Sequence, residues 1–295
     1  MFLRMFYGII RHNTYNSIKP CFGQHTTIYV IIKYKHIPTH SKEGRESLML
    51  QKILSRMRKA VEDYNMINDG DKIAVGVSGG KDSQLLLLAL KELQRFLPKK
   101  FELMAITIDL GFEKFDRASL LSFYNNIGVD YHIEKTNISQ VVFEARNEQN
   151  PCALCANMKR GAIYNAAVRL GCNKAAFAHH MDDAVETFLM SQIYEGRIHT
   201  FSPVTHMDRK NITLIRPMIY IEEKLIRAAV KNLGLDPVSS GCPADGITKR
   251  QDIKELIKEM SRKNRHIKAN LFGAIQRAEI CGWKPQSKGR QKKDA

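Results

Sequence analysis

From Met49 onward, the apolar positions of this chain switch repeatedly between two spacings. Met49–Ile67 ("MLQKILSRMRKAVEDYNMI") repeats its apolar residues at helical spacing and carries basic residues on the other face. "DGDK" at 69–72 is a turn. Lys72–Val77 is a short, mostly apolar run, which predicts a buried parallel strand. Ser83–Phe96 is apolar nearly all round at its start, which predicts a helix packed inside. The alternation continues with a strand at Phe101–Phe112 and a helix closed by Gly128. A strand over "VDYHIEKT" (129–136) and a helix through Arg146 follow. Then come a helix over Cys155–Leu170 closed by Gly171, a strand over Lys174–His180 and a helix over Asp182–Tyr194. A helix over Glu222–Leu233, a loop at "SSGCPADG" (239–246) and two basic helices across 250–279 end the pattern.

Such alternation predicts an α/β fold, a doubly wound parallel sheet with a helical C-terminal extension. Ligands of these sheets bind outside the carboxyl ends of the strands. Ser78, Asp109 and His180 each follow a predicted strand and would share that rim. The 295 residues divide into an N-terminal basic extension (1–48), a nucleotide-binding domain (49–235), a C-terminal helical segment (236–283) and a basic, disordered tail (284–295).

Charge narrows the partner. Lys plus Arg number 46 against 30 Asp plus Glu, a net +16, which favours a polyanion, nucleic acid before a membrane surface. No apolar run reaches the roughly 20 residues of a membrane span. Six cysteines are too few for a disulfide scaffold, and a CxxC without a secretory signal points to a metal or redox site in a reducing, cytoplasmic setting. Residues 1–42 hold no acidic residue. They fit a mitochondrial presequence, a basic RNA arm, or translated leader ahead of a start at Met49, since "KEGRE" (42–46) can be encoded as an all-purine ribosome-binding-site-like run.

The chemistry concentrates at "VGVSGGKDSQLLLL" (75–88), which lacks the GxxxxGK[ST] spacing of a Walker loop. Gly79 and Gly80 free the backbone to aim successive N–H groups inward as an anion nest, and the following helix adds its N-terminal dipole. Ser78 and Ser83 can donate hydroxyls. Lys81 can neutralise phosphate, and Asp82 can hold Mg²⁺ or cap the helix. A plain structural turn is the competing reading.

Cys152 and Cys155 form "PCALC", and Cys242 lies 87 residues later. Zinc sites normally close with four ligands. His179, His180, Cys172 or Cys281 could supply the fourth, although Cys172 and Cys281 read as core thiols. Three thiolates and one open position suit a [4Fe–4S] cluster. A metal-free route would place a persulfide on Cys152 or Cys155, resolved by Cys242. In "HHMDDAVETF" (179–188), Asp183 and Glu186 have capping-box spacing, while His180 and Asp182 are expected to face a nucleotide, with Asp183 beside them.

"SGGKDS" resembles the PP-loop of the N-type ATP pyrophosphatases, and "HHMDDAVETF" and "LIRP" with Arg216 resemble further elements of that superfamily. The series SGGKDS, PCxxC, HHxDDxxET, IRP and a lone downstream cysteine is similar to the tRNA 2-thiocytidine synthetases over Ile53–Ile257, roughly two thirds of the chain. The chain departs from longer members in having only "SGCPAD" where they carry a second cysteine pair.

The resemblance implies that Ser78–Ser83 bind ATP with Mg²⁺, and that Cys152, Cys155 and Cys242 hold a [4Fe–4S] cluster. It implies that the C2 carbonyl of cytidine 32 in tRNA is adenylated and its oxygen replaced by sulfur from a donor such as a cysteine desulfurase. A homodimer is compatible with it. The cytosine must leave its stack to react. Arg56, Arg58, Lys59, Lys249, Arg250, Arg262, Lys263 and Arg265 are expected to grip the RNA backbone. The rival readings are a tRNA lysidine synthetase-like enzyme, which needs no CxxC, and a non-catalytic nucleotide- and RNA-binding module with a structural zinc.

Overall fold

The computed structural model describes residues 42–112, 115–145, 151–238 and 249–286. The expectations for residues 1–41, for Cys242 and its loop, and for the tail beyond Gln286 lie outside those residues.

The first helix, α1 (Lys42–Asp63), starts seven residues ahead of Met49. Strand β1 (Asp71–Gly76) follows, then α2 (Lys81–Leu93), β2 (Phe101–Asp109), α3 (Arg117–Ile127) and β3 (Asp130–Lys135). A single turn α4 (Ile138–Gln140) widens into a π turn at Val141–Ala145 where one helix through Arg146 was expected. Helix α5 (Pro151–Arg169) starts four residues earlier than predicted. Proline suits a first helical position because the N–H it lacks would have no intrahelical partner there. Both Cys152 and Cys155 therefore sit on the helix.

The chain continues through β4 (Lys174–Ala176), α6 (Met181–Glu195), β5 (Val204–Met207), β6 (Ile212–Ile215), α7 (Glu223–Asn232), α8 (Lys249–Lys263) and α9 (Ile267–Arg277). The strand predicted to reach His180 leaves its ladder after Ala176. Strands β5 and β6 were not anticipated. Both have four residues, and β5 is only half-buried along its length, too short and mixed for a period-two signal.

The six strands form one sheet in the order β3-β2-β1-β4-β6-β5. All pairings are parallel except β5 with β6, so the doubly wound sheet carries one antiparallel edge. Alternate residues of β1 feed the two faces. Ile73 and Val75 pack with α1, α2, α6 and α7, whereas Ala74 packs with Tyr164, Ala166 and Ala167 of α5. Strand order reverses between β1 and β4, and the crevice above that switch point is where a ligand is expected.

The C-terminal helices join the first of these cores. Ile253, Ile257, Phe272, Ile275 and Trp283 are buried within it. Trp283 is fully buried, edge-on to Phe272 and Tyr64, and its Nε1–H donates to Phe201 O at 3.0 Å. Among the described residues, no helix is long and apolar enough to cross a membrane.

Candidate active site

Above the switch point lies a cleft of about 560 Å³, lined by the β1–α2 loop, the end of β2, one face of α5, the end of β4, and Arg250 of α8.

The loop wall is built by the expected residues. Gly79 has φ +86° and its carbonyl accepts from Val238 N–H at 2.9 Å. A Cβ there would meet Val238 Cβ and O at 3.1 Å, so only glycine fits both the conformation and the approach. Gly80 starts α2 in extended conformation without a side-chain cap, so the first N–H groups of the helix keep no intrahelical partner. Ser83 Oγ bridges the loop, accepting from Ser78 N–H at 3.1 Å and donating to Gly80 O at 2.9 Å. Ser78, Gly80, Asp82 and Ser83 line the cleft.

Asp82 does not cap its helix. Its Oδ2 accepts from Lys81 Nζ at 2.9 Å, and its Oδ1 is buried without a hydrogen-bond partner. A buried, orphaned carboxylate oxygen on the wall of an anion nest fits a ligand to a hard cation such as Mg²⁺. Lys81 is turned off the cleft, lying between Asp82 and Glu223 Oε1, the latter at 3.2 Å. Burial alone would lower its pKa, but these two carboxylates raise it. Burial likewise opposes Glu223, yet Arg227 and Lys81 bring its pKa down to about 2.

Of the rim residues predicted after the other strands, Asp109 holds its own turn, with Oδ1 accepting from Gly111 N–H at 3.0 Å. His180 is buried and caps α6. Its Nδ1 accepts from Asp183 N–H at 3.4 Å, and Asp183 Oδ2 accepts from His180 N–H at 2.9 Å. The capping box is therefore His180 with Asp183 rather than Asp183 with Glu186, because α6 begins at Met181. Asp182 is buried, accepting from Glu223 N–H at 2.8 Å and Lys268 Nζ at 2.5 Å. Asp109, His180, Asp182 and Asp183 are not among the cleft-lining residues.

His179 takes that place. Its ring lies 5.0 Å from that of Phe201, and Nδ1 is buried without a partner. Burial first, and the nearby Arg216 second, push its pKa down to about 4, so the imidazole is neutral near pH 7. Arg216 is itself buried against the Phe201 ring, 5.0 Å from its centroid, and donates to Ser202 O at 2.6 Å.

The third wall is a stripe of α5. Ala156, Lys159, Arg160 and Ile163 face the cleft, and Cys152 lies four residues before Ala156, on the same side of the helix. Cys155 is buried against Leu110, Ile138 and Val142, while Cys152 is half-buried. Two thiols three residues apart on the helix that forms this wall fit as part of the thiolate set of an iron–sulfur cluster. Among the described residues, which exclude Cys242, no group of three His, Cys, Asp or Glu is placed to hold a metal. Cys172 is buried, and burial raises its pKa, as an inert thiol requires. Cys281 is exposed rather than core, 3.3 Å from His199 Nδ1, because the turn at Ile280–Gly282 points it outward while Trp283 takes the interior.

Lys159, Arg160, His179 and Arg250 were not picked out as cleft residues from sequence. The stripe counted forward from CxxC was the available signal for the first two.

Residues 49–260 match the PP-loop domain family. A tRNA-cytidine(32) 2-sulfurtransferase of Pelobacter propionicus is 39% identical over 237 residues, covering 79% of this chain and 88% of the relative. The chain belongs to the tRNA 2-thiocytidine synthetase family. A second member, the tRNA-cytidine(32) 2-sulfurtransferase of Geobacter sulfurreducens, is 37% identical over 78% of this chain and 91% of its own length. Among solved structures, the U34-tRNA thiolase NcsA from Methanococcus maripaludis, with its [4Fe-4S] cluster, superposes with a TM-score of 0.67 at 21% identity, covering 79% of each chain. That likeness shows that this 2-thiocytidine synthetase family member shares its fold with that protein.

Proposed function

We propose that this protein is an ATP-dependent tRNA thiolase that converts cytidine 32 of the anticodon loop to 2-thiocytidine. The observation that carries the reading is a single cleft with the SGGKDS loop on one wall and the CxxC helix on another. Its relatives named for the same modification support the choice of base.

The base is activated first. The cytosine C2 carbonyl oxygen attacks the α-phosphorus of ATP, the bond to the bridging oxygen of the β-phosphate breaks, and pyrophosphate leaves. Ser78 and the unpaired N–H groups at the start of α2 receive the pyrophosphate charge, while Ser83, its hydroxyl committed to Gly80 O, holds the loop in that shape. Asp82 would hold Mg²⁺ through Oδ1, and the ion would spread the charge of the phosphates. Phe112, Phe115 and Phe177 give the cleft an apolar side that excludes water from the adenylate. Sulfur at the sulfide level then adds at C2, the C2–O bond breaks, and AMP departs with the former carbonyl oxygen. Cys152 and Cys155, with Cys242, would hold a [4Fe–4S] cluster, which supplies Lewis-acid binding for the incoming sulfur. Neutral His179 offers a hydrogen-bonding nitrogen to the base without adding charge.

The tRNA meets exposed cations. Arg56, Arg58 and Lys59 on α1 and Lys249, Arg262, Lys263 and Arg265 at α8 are exposed, although Arg58 and Lys59 also pair with Glu62 and Asp63. Nucleoside mass spectrometry of bulk tRNA from the source cell, with and without the gene, tests the proposal. Loss of 2-thiocytidine is expected on deletion. Unchanged 2-thiocytidine, or loss of a different nucleoside, would reject this substrate.

A further inference from the structure

Arg250 stands apart from the other basic residues of the C-terminal helices. It reaches the cleft that Ser78, Gly80, Asp82 and Ser83 line. Its guanidinium is fixed from behind by the start of α6. Nη1 donates to Asp183 Oδ1 at 2.9 Å and Glu186 Oε2 at 3.3 Å, and Nη2 is 3.4 Å from Thr187 Oγ1. Among the described residues, three cationic side chains line the cleft: Lys159, Arg160 and Arg250. Arg250 is the one with carboxylate partners among the described contacts. Lys81, the cation of the loop itself, is held outside the cleft by Asp82 and Glu223.

The nucleotide would bring several negative charges to a nest whose own lysine is turned off the cleft. A planar guanidinium, already oriented and presenting several donors, is the group best shaped to meet phosphate oxygens. We propose that Arg250 is a catalytic residue that binds the phosphate chain of ATP, so that α8 completes the nucleotide site and Asp183 and Glu186 position the clamp. The proposal rests on the ATP-dependent reading above. It moves Arg250 from the RNA-gripping set into the reaction cleft, and it gives the acidic start of α6 a use that direct nucleotide contact would not.

The test is calorimetric binding of α,β-methylene-ATP with Mg²⁺ to the full-length protein, alongside filter binding of tRNA. Arg250→Met is expected to weaken nucleotide binding about 10- to 100-fold, the range for charge-assisted hydrogen bonds. Arg250→Lys should recover part of that, with tRNA affinity changed less than about twofold. The double variant Glu186→Gln/Arg250→Met separates binding from mere neutralisation of the carboxylates. It removes one of the two carboxyl groups left unpaired in the single variant, yet should bind nucleotide as weakly as Arg250→Met. Wild-type nucleotide affinity in Arg250→Met, or recovery of it in the double variant, would overturn the proposal. So would weakened tRNA binding with intact nucleotide binding, which would mark an RNA phosphate as the ligand. If the wild-type protein itself bound no nucleotide, the ATP-dependent reading would fall with it.

Discussion

The loop geometry makes the two glycines of SGGKDS unequal, and alanine replacements expose the difference. At Gly79 an L-residue must adopt φ +86°. The left-handed region costs about 1–2 kcal/mol for a residue with a Cβ. The new Cβ would also stand 3.1 Å from both Val238 O and Val238 Cβ. Because one of these is backbone, no rotamer change removes the contact. Relief requires the loop to move from the Val238 segment, stretching the 2.9 Å bond from Val238 N–H to Gly79 O, a bond worth about 1 kcal/mol net. Gly79→Ala should therefore cost about 2–3 kcal/mol, or a fall in Tm of several degrees in a domain of this size. At Gly80 the backbone is extended, φ −69° and ψ 157°, and a Cβ meets only Ser78 Oγ at 3.4 Å. Gly80→Ala should leave stability within about 0.5 kcal/mol, since lost chain entropy in the unfolded state offsets a poorer N-cap. Urea unfolding of both variants, with nucleotide titration of the folded proteins, measures the contrast. Gly79→Ala should also lose affinity at least tenfold as the N–H nest shifts, by analogy with the loss of one oriented donor. Equal stability of the two variants, or a wild-type midpoint for Gly79→Ala, would refute the reasoning.

Four further outcomes are expected. Burial lifts the Glu186 pKa from 4.5 to about 7, against the pull of Lys254 and Arg250, so between those values the folded state holds a proton that the unfolded chain has released. Stability must fall as pH rises through that window, by about 3 kcal/mol at most, and Glu186→Gln should gain on wild type between pH 5 and pH 8 in urea titrations. A constant difference between the two proteins would exclude it. His179 acts with the opposite sign: its depressed pKa means that stability is lost as pH falls from 6.5 towards 4. Trp283, the chain's single tryptophan, should give a blue-shifted emission that moves red on unfolding, and Trp283→Ala should cost about 3–5 kcal/mol in denaturant. Cys152→Ser should lower iron content after anaerobic reconstitution while leaving nucleotide affinity within twofold, measured by iron analysis and calorimetry; full iron retention would remove Cys152 from the ligand set.

Burial on both faces made the centre of the sheet legible. Strands β1 and β2 and helix α2 are enclosed by other elements, so their sequences are nearly continuous in apolar residues, and the loop between β1 and α2 stood out against them. The edge did not announce itself, because β5 pairs on one side only and keeps half-exposed residues throughout. The loop wall of the cleft was readable for the same reason as β1: all its members lie within six consecutive residues. Arg250 lies 167 positions after Ser83. No local pattern says that its helix folds back over the switch point, and in sequence it looks like one more solvated charge.

The paired histidines show how a site residue can be misassigned by one position. Neighbours in extended backbone point to opposite sides, so "HH" can offer one imidazole to the cleft and must give the other a different environment. Phe177 and His179 share a side, with ring centroids 6.0 Å apart, and both line the cleft. His180 points the other way, into the first turn of α6. The sequence contained the means of choosing between them. A helix beginning at Met181 rather than Asp182 makes residue 180 the N-cap, and an acceptor there with an acidic residue at 183 is the capping-box pattern. A histidine committed to that cap has its Nδ1 occupied by a backbone N–H. The residue before it, freed from the ladder and not yet in the helix, is the one left facing the cleft.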